Sequence, residues 1–169
     1  LGPERYPHVI IEVDQVGRLD VELYGPEAPL TVANFLRLVD RRYFDGQRFH
    51  RVVPNFVVQA GDPRGDGWGG SGTVSRDEIN MRRYKAFVLG MALSGPNTGG
   101  SQWFITLSQQ PHLDGGYTVF GEVVDGLPAL LGLDDDAHGF DPGLHPVVAD
   151  LARRLSGRRL GRTGAVLEV

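Results

Sequence analysis

From residue 8 onward the chain breaks into apolar runs that are too short, and too regularly interrupted, for a helical protein. "HVIIEVD" (8–14) and "RLDVELY" (18–24) alternate apolar and polar residues around "QVG" and read as a hairpin of half-buried strands. "RFHRVV" (48–53) and "FVVQAG" (56–61) join through Pro54-Asn55. "AFVLGMAL" (86–93), "SQWFITL" (101–107) and "YTVFGEVV" (117–124) are separated by the turn-forming "GPNTGG" (95–100) and "PHLDGG" (111–116). With "AVLEV" (165–169) as a last strand, the chain has eight short strands. Helical spacing occurs twice. Across 28–46, Val32, Phe35, Leu36 and Val39 share a face, Pro29 and Thr31 suit a helix start, and Asp45-Gly46 ends it. "LHPVVADLARRLSG" (144–157) is the second, stopped by Gly157. Residues 61–73, "GDPRGDGWGGSGT", hold six glycines and form a long shaped loop, and 125–143 is irregular. Short strands with glycine-rich turns and few helices predict a sandwich or a closed barrel, and a barrel leaves no strand edge exposed.

At 169 residues, 41% of them hydrophobic, one domain spanning 1–169 is expected, with an atypical segment at about 126–164 before the last strand. The net charge of −4 argues against nucleic acid or an anionic membrane as partner, since both draw affinity from clustered Lys and Arg. Arg153, Arg154, Arg158, Arg159 and Arg162 are expected to line a solvated helix face and its exit. The absence of cysteine excludes disulfides, thiolate metal sites and a cysteine nucleophile. No apolar run approaches the ~20 residues of a membrane span. The expected compartment is the cytoplasm, a first residue that is Leu rather than Met suggests an excised domain or processed product, and Lys85 as sole lysine among many arginines suggests a bacterial source.

Common chemistries fit poorly. The glycine loop lacks the Gly-Lys-Ser/Thr ending of a phosphate loop. Asp134, Asp135, Asp136, His138 and Asp141 lack the spacing of a calcium loop and read as a solvated surface. His8, His50, His112, His138 and His145 offer no metal-binding pair at helical spacing, and no serine sits in a nucleophile elbow. His50 reads as a hydrogen-bonded structural residue, Trp68 and Trp103 as packing residues.

"FHRVVPNFVVQAGD" (49–62) sets an arginine inside an apolar, strand-like run. Burying that cation unpaired would cost several kcal/mol or more. By strand alternation Phe49, Arg51 and Val53 share one face, and Val57 and Gln59 share another past the turn. Two readings stay open. Arg51 packs its stem and sends its head to solvent or a carboxylate, or Arg51 and Gln59 stand at a shallow pocket among Phe56, Val57 and Phe104.

These stretches resemble the cyclophilins, the peptidyl-prolyl cis/trans isomerases. "FHRVVPNFVVQAGD" resembles the family's central signature, and "GPNTGGSQWFITL" (95–107) and "HLDGGYTVFGEVVDG" (112–126) its second and third, in one order from about residue 8 to 126. The resemblance implies a mainly β fold, a closed eight-stranded antiparallel β-barrel capped by two α-helices. It implies isomerisation of X-Pro bonds in unfolded or flexible proteins, without cofactor or metal, by a monomer. Arg51 is then the catalytic arginine, with Gln59 beside it and Phe104 in the catalytic set. Phe56, Val57, Phe104 and Leu113 form the proline pocket, Ala92 and Leu93 present backbone groups, and Gln102, His112 and Tyr117 surround it. Leu93, His112 and Tyr117 depart from the asparagine, tryptophan and histidine of the best-known members, and the second departure implies weak cyclosporin binding at most. The alternative function is a proline-peptide binding module with little catalysis, part of a larger protein.

Overall fold

The computed structural model describes residues 6–126 and 158–166. Its strands are β1 (His8–Val13), β2 (Gly17–Leu23), β3 (Arg51–Val53), β4 (Val57–Ala60), β5 (Val88–Met91), β6 (Trp103–Thr106), β7 (Val119–Asp125) and β8 (Leu160–Val166). Helix α1 spans Pro29–Asp40, and a 3-10 turn spans Pro111–Leu113. All strand pairs are antiparallel, in the order β3-β4-β6-β5-β7-β2-β1-β8. Among the described residues the fold is thus mainly β, a curled antiparallel sheet with one α-helix.

One sequence-based expectation needs correction, the position of the last strand. The end strands β3 and β8 are not joined by a ladder, and an isolated antiparallel bridge links Arg48 to Arg159. Contact between the two edges is made by residues 46–49, before β3, and residues 158–160, at the start of β8: Gly46 N–H donates to Leu160 O at 2.8 Å, Leu160 N–H to Gln47 O at 2.7 Å, and Phe49 N–H to Arg158 O at 3.1 Å. The last strand is Leu160–Val166, not 165–169, and it pairs with β1 from His8↔Val166 to Val13↔Leu160. Its sequence, LGRTGAV, carries no apolar alternation, so its strand character comes from the β1 edge. The expected helix at 144–157 and the acidic run at 134–141 lie outside the described residues.

The period-two pattern does its work in β1 and β2. Val9, Ile11 and Val13 of one, with Leu19, Val21 and Leu23 of the other, are all buried in the main core. An aromatic cluster fills the centre: Phe35 of α1 stands 5.1 Å from Phe44 and 5.3 Å from Phe120, and Trp103 meets Phe35, Phe44 and Phe49 edge-on. Phe49 therefore does not share a face with Arg51. It lies before the first residue of β3, so strand alternation does not carry through it, and it is 2% exposed in the core.

Outside the sheet a second apolar cluster forms from Tyr24, Val57, Tyr84, Val88, Phe104, Leu113 and Val119. It is bordered by the Arg82 guanidinium, which lies 3.9 Å from the centre of the Tyr24 ring and pairs with Glu27.

Helix α1 lacks a capping side chain of its own, since Ala28 occupies the N-cap. Glu78, far along the chain, supplies the cap. One carboxylate oxygen accepts from Leu30 N–H at 3.0 Å, and the other from Thr31 N–H and Thr31 Oγ1 at 2.8 Å each. This satisfies orphan donors of the first turn and sets a negative charge at the positive end of the helix dipole. Replacing Glu78 by Ala should destabilise the protein by about 1–2 kcal/mol, seen as a fall of roughly 2–8 °C in thermal midpoint. Glu78→Gln, which keeps one acceptor, should lose less.

Candidate functional site

Strand register assembles the site. Arg51 of β3 pairs with Gln59 of β4, Gln59 with Phe104 of β6, and Phe104 with Gly90 of β5. These four residues form one row across four strands, on the outer face. The neighbouring row, Val52, Val58, Ile105 and Leu89, turns to the main core. One alternation thus sends four apolar residues inward and a cation, an amide and an aromatic ring outward. Arg51 is exposed and needs no buried counter-charge. Arg51 and Gln59 share a face with Val53 and Val57, because the hairpin pairs them directly.

The row is held by hydrogen bonds. Arg51 donates to Gln59 Oε1 at 3.3 Å, and its guanidinium lies 5.7 Å from the centre of the Phe56 ring. Gln59 Nε2 donates to Gln102 Oε1 at 2.8 Å. Gln102 Nε2 donates to Gly67 O at 2.9 Å and to Gly69 O at 2.8 Å. Gln59 therefore holds the guanidinium, and its own orientation is fixed by Gln102.

The apolar floor lies beside this row. Phe104, 5% exposed, stacks on the buried Tyr84 at 5.6 Å and meets Tyr117 edge-on at 6.0 Å. Gly90 makes room for this arrangement, as a Cβ there would collide with the Phe104 ring and the Tyr84 hydroxyl. Burial, with Asp114 and Tyr117 nearby, pushes the Tyr84 hydroxyl well above the usual tyrosine range. Val57 and Leu113 complete the floor. Phe56 stacks on His112 at 5.5 Å. That contact depends on the Pro54-Asn55 turn, where Asn55 takes φ +59° and its carbonyl accepts from Gln110 Nε2 at 2.8 Å.

Two cavities open along the polar side. One of about 520 Å³ is lined by His50, Arg51, Gln59, Gly65, Asp66, Gly67, Trp68 and Ser94. The other, of about 460 Å³, includes Trp68, Thr73, Ala92, Leu93, Thr98, Ser101 and Gln102. Among the described residues no group of three or more His, Asp or Glu could hold a metal ion, and no helix is long and apolar enough to cross a membrane.

All eleven residues singled out from the sequence lie in this region. Ala92 is already partly committed, since its N–H donates to Gln102 O at 3.1 Å. His50 is not the hydrogen-bonded residue expected: both its ring nitrogens are buried without a protein partner. Trp103 packs in the core as expected, whereas Trp68 is 84% exposed. Sequence reasoning missed Tyr84, which backs Phe104 from outside every signature stretch. It also missed the part played by Asp62.

A family profile described as cyclophilin type peptidyl-prolyl cis-trans isomerase/CLD matches residues 8–141. Peptidyl-prolyl cis-trans isomerase-like 1 of Aspergillus niger is 50% identical over 120 residues, 68% of this chain and 74% of that protein. Peptidyl-prolyl cis-trans isomerase CYP18-2 of Arabidopsis thaliana is 45% identical over 133 residues, 76% of this chain and 81% of that one. These relatives are eukaryotic and lend no support to the bacterial source suggested by arginine usage. A crystal structure of a Cryptosporidium parvum cyclophilin type peptidyl-prolyl cis-trans isomerase superposes with a TM-score of 0.78 at 31% identity, covering 97% of this chain and 99% of that one. A second structure of that protein, in the presence of the dipeptide Ala-Pro, gives 0.76 at 32% identity, covering 95% and 99%.

Asp62 organises the glycine loop that Gln102 grips. It is 1% exposed, and its carboxylate accepts from Arg64 N–H at 2.8 Å, Asp66 N–H at 3.0 Å and Gly67 N–H at 2.6 Å. Burial alone would raise its pKa, but the N–H donors of Arg64, Gly67, Gly69 and Asp66 outweigh that and hold it below the ordinary carboxylate value. A carboxyl lowered in the folded state stabilises fully above its unfolded pKa of ~3.9 and loses that contribution as pH falls through the folded value. Asp62→Asn should therefore be less stable than the parent by about 2 kcal/mol near neutrality, with the gap in urea-unfolding free energy narrowing below about pH 4. A gap independent of pH would show that the charge of Asp62 is not what holds the loop.

Proposed function

The chain belongs to the cyclophilin-type peptidyl-prolyl cis/trans isomerase family and is an isomerase of that type, and we propose that Arg51, presented at the edge of an apolar floor by Gln59, carries its catalysis. The observation behind this is the cross-strand row in which Gln59 holds the guanidinium on one side and pairs with Phe104 on the other. Rotation about an X-Pro bond has a barrier of ~20 kcal/mol because amide resonance must be broken. In the twisted transition state the proline nitrogen becomes pyramidal and regains a lone pair. The planar ground state offers no such acceptor. A donor placed over that nitrogen therefore binds the transition state better than either isomer, which is the requirement for catalysis.

Arginine suits this task because it stays protonated at physiological pH and presents several donors in one plane. Phe56, Val57, Phe104 and Leu113 take the proline ring, with Tyr117 beside Phe104 and His112 beside Phe56. The backbone of Ala92 and Leu93, together with Gln102, lines the path of the peptide. The substrates are proline-containing segments of flexible or unfolded proteins, a reading supported by the relative solved in the presence of Ala-Pro. Cyclosporin binds weakly at most, because His112, stacked on Phe56, offers a smaller and more polar surface than tryptophan. The bonds between 46–49 and 158–160 support a sheet that closes into a barrel.

A hydrogen bond to a charged group contributes ~1.5–3 kcal/mol, and each tenfold rate gain needs ~1.4 kcal/mol. Arg51→Ala should thus lower kcat/KM for an Ala-Pro peptide by roughly 10- to 100-fold, while peptide binding, followed by NMR shifts, persists. Cis/trans exchange measured by NMR at undiminished rate in that variant would remove Arg51 from the mechanism.

A further inference from the structure

Trp68 is at odds with the fold around it. The chain has two tryptophans, of which Trp103 is 1% exposed and Trp68 is 84% exposed. An indole is the largest apolar group a chain can bury, and leaving it in water forgoes that gain. Looseness of the loop is not the reason. Trp68 N–H donates to Asp66 Oδ1 at 2.9 Å, Gly67 N–H donates to Asp62 at 2.6 Å, and the carbonyls on either side of Trp68 both accept from Gln102 Nε2. The backbone is pinned and the ring is presented.

The place of presentation matters. Trp68 borders both cavities, the one that contains Arg51 and Gln59 and the one walled by Ala92 and Leu93. Any peptide running from the Phe104 floor past Arg51 towards Leu93 passes the indole. Among the described residues the ring has no aromatic or cation-π partner.

Resting on the isomerase reading, we propose that Trp68 is a specificity-determining residue that stacks on an apolar, ring-bearing side chain, Phe, Tyr or a second Pro, within two residues of the X-Pro bond. Stacking between rings adds to the gain from area alone, whereas Gly at the same place offers the indole nothing. Stacking away from the reacting bond is equal in ground and transition states, so the preference belongs in KM more than in kcat.

The test is a set of Ala-Pro peptides in which Phe or Gly occupies each flanking position in turn, assayed with the parent, Trp68→Phe and Trp68→Ala. Thermal midpoints should match, because the exposed ring contributes nothing to the core. The parent should prefer Phe over Gly at one or more positions by about five- to tenfold in kcat/KM, chiefly through KM. Trp68→Ala should lose that preference and Trp68→Phe retain part of it. Fluorescence gives a second readout: the Phe peptide should shift the parent's emission to the blue, the Gly peptide and the Trp68→Ala protein should show no such shift. The proposal is overturned if the parent shows no preference at any position, or if Trp68→Ala keeps it. Failure of the isomerase reading looks different, as no peptide would then exchange faster with any protein, and the fluorescence shift would still decide whether Trp68 meets the ring.

Discussion

The pairing of Arg51 with Gln59, opposite each other in the shortest strand pair of the sheet, is the constraint on which the site depends. It places Arg51 and Gln59 outward and Val52 and Val58 inward in the same step. A slip of one residue would exchange the two rows, burying a guanidinium and exposing the core valines. The energetic penalty of burying that charge is therefore also what protects the register of the site. Function and foldability are enforced here by the same alternation.

The glycine loop extends this order to a segment that cannot order itself. Six glycines between 61 and 73 give a backbone with a high entropy to lose. Asp62 supplies a fixed anion around which the loop folds back, and Gln102 grips it from the sheet. Gly61 is needed where it stands: at φ +93° a Cβ would strike the Ser101 carbonyl, so only glycine lets the loop leave β4 against β6. The loop is thus anchored at its root by steric fit, and in its middle by hydrogen bonds.

Much of this was legible in the sequence, for identifiable reasons. Alternation in β1 and β2 shows because one face of each is fully buried, and the signature stretches show because the site row falls inside them. β8 escaped because Gly161, Arg162, Thr163 and Gly164 advertise no pattern, and the strand is recruited by the edge of β1. Glu78 escaped because its partners at Leu30 and Thr31 lie nearly fifty residues away, beyond any local capping rule. Trp68 was misassigned because residue type predicts burial only on average, and a tryptophan on a pinned loop breaks the average. Tyr84 carried no signal of its own, since its contact with Phe104 exists only once β5 and β6 are paired.

The hydrogen bonds that run from Arg51 through Gln59 and Gln102 to the carbonyls of Gly67 and Gly69 all point the same way. A guanidinium can only donate, so it dictates the orientation of the first amide, which dictates that of the second. Each amide turns its oxygen towards the cation and its nitrogen away. The chain behaves as a small electret, poled by the charge at one end and terminated by loop carbonyls at the other. Its two side-chain dipoles cannot be reversed singly without setting oxygen against oxygen or leaving the guanidinium to face a donor. The site therefore owns a built-in electrical direction before any peptide arrives.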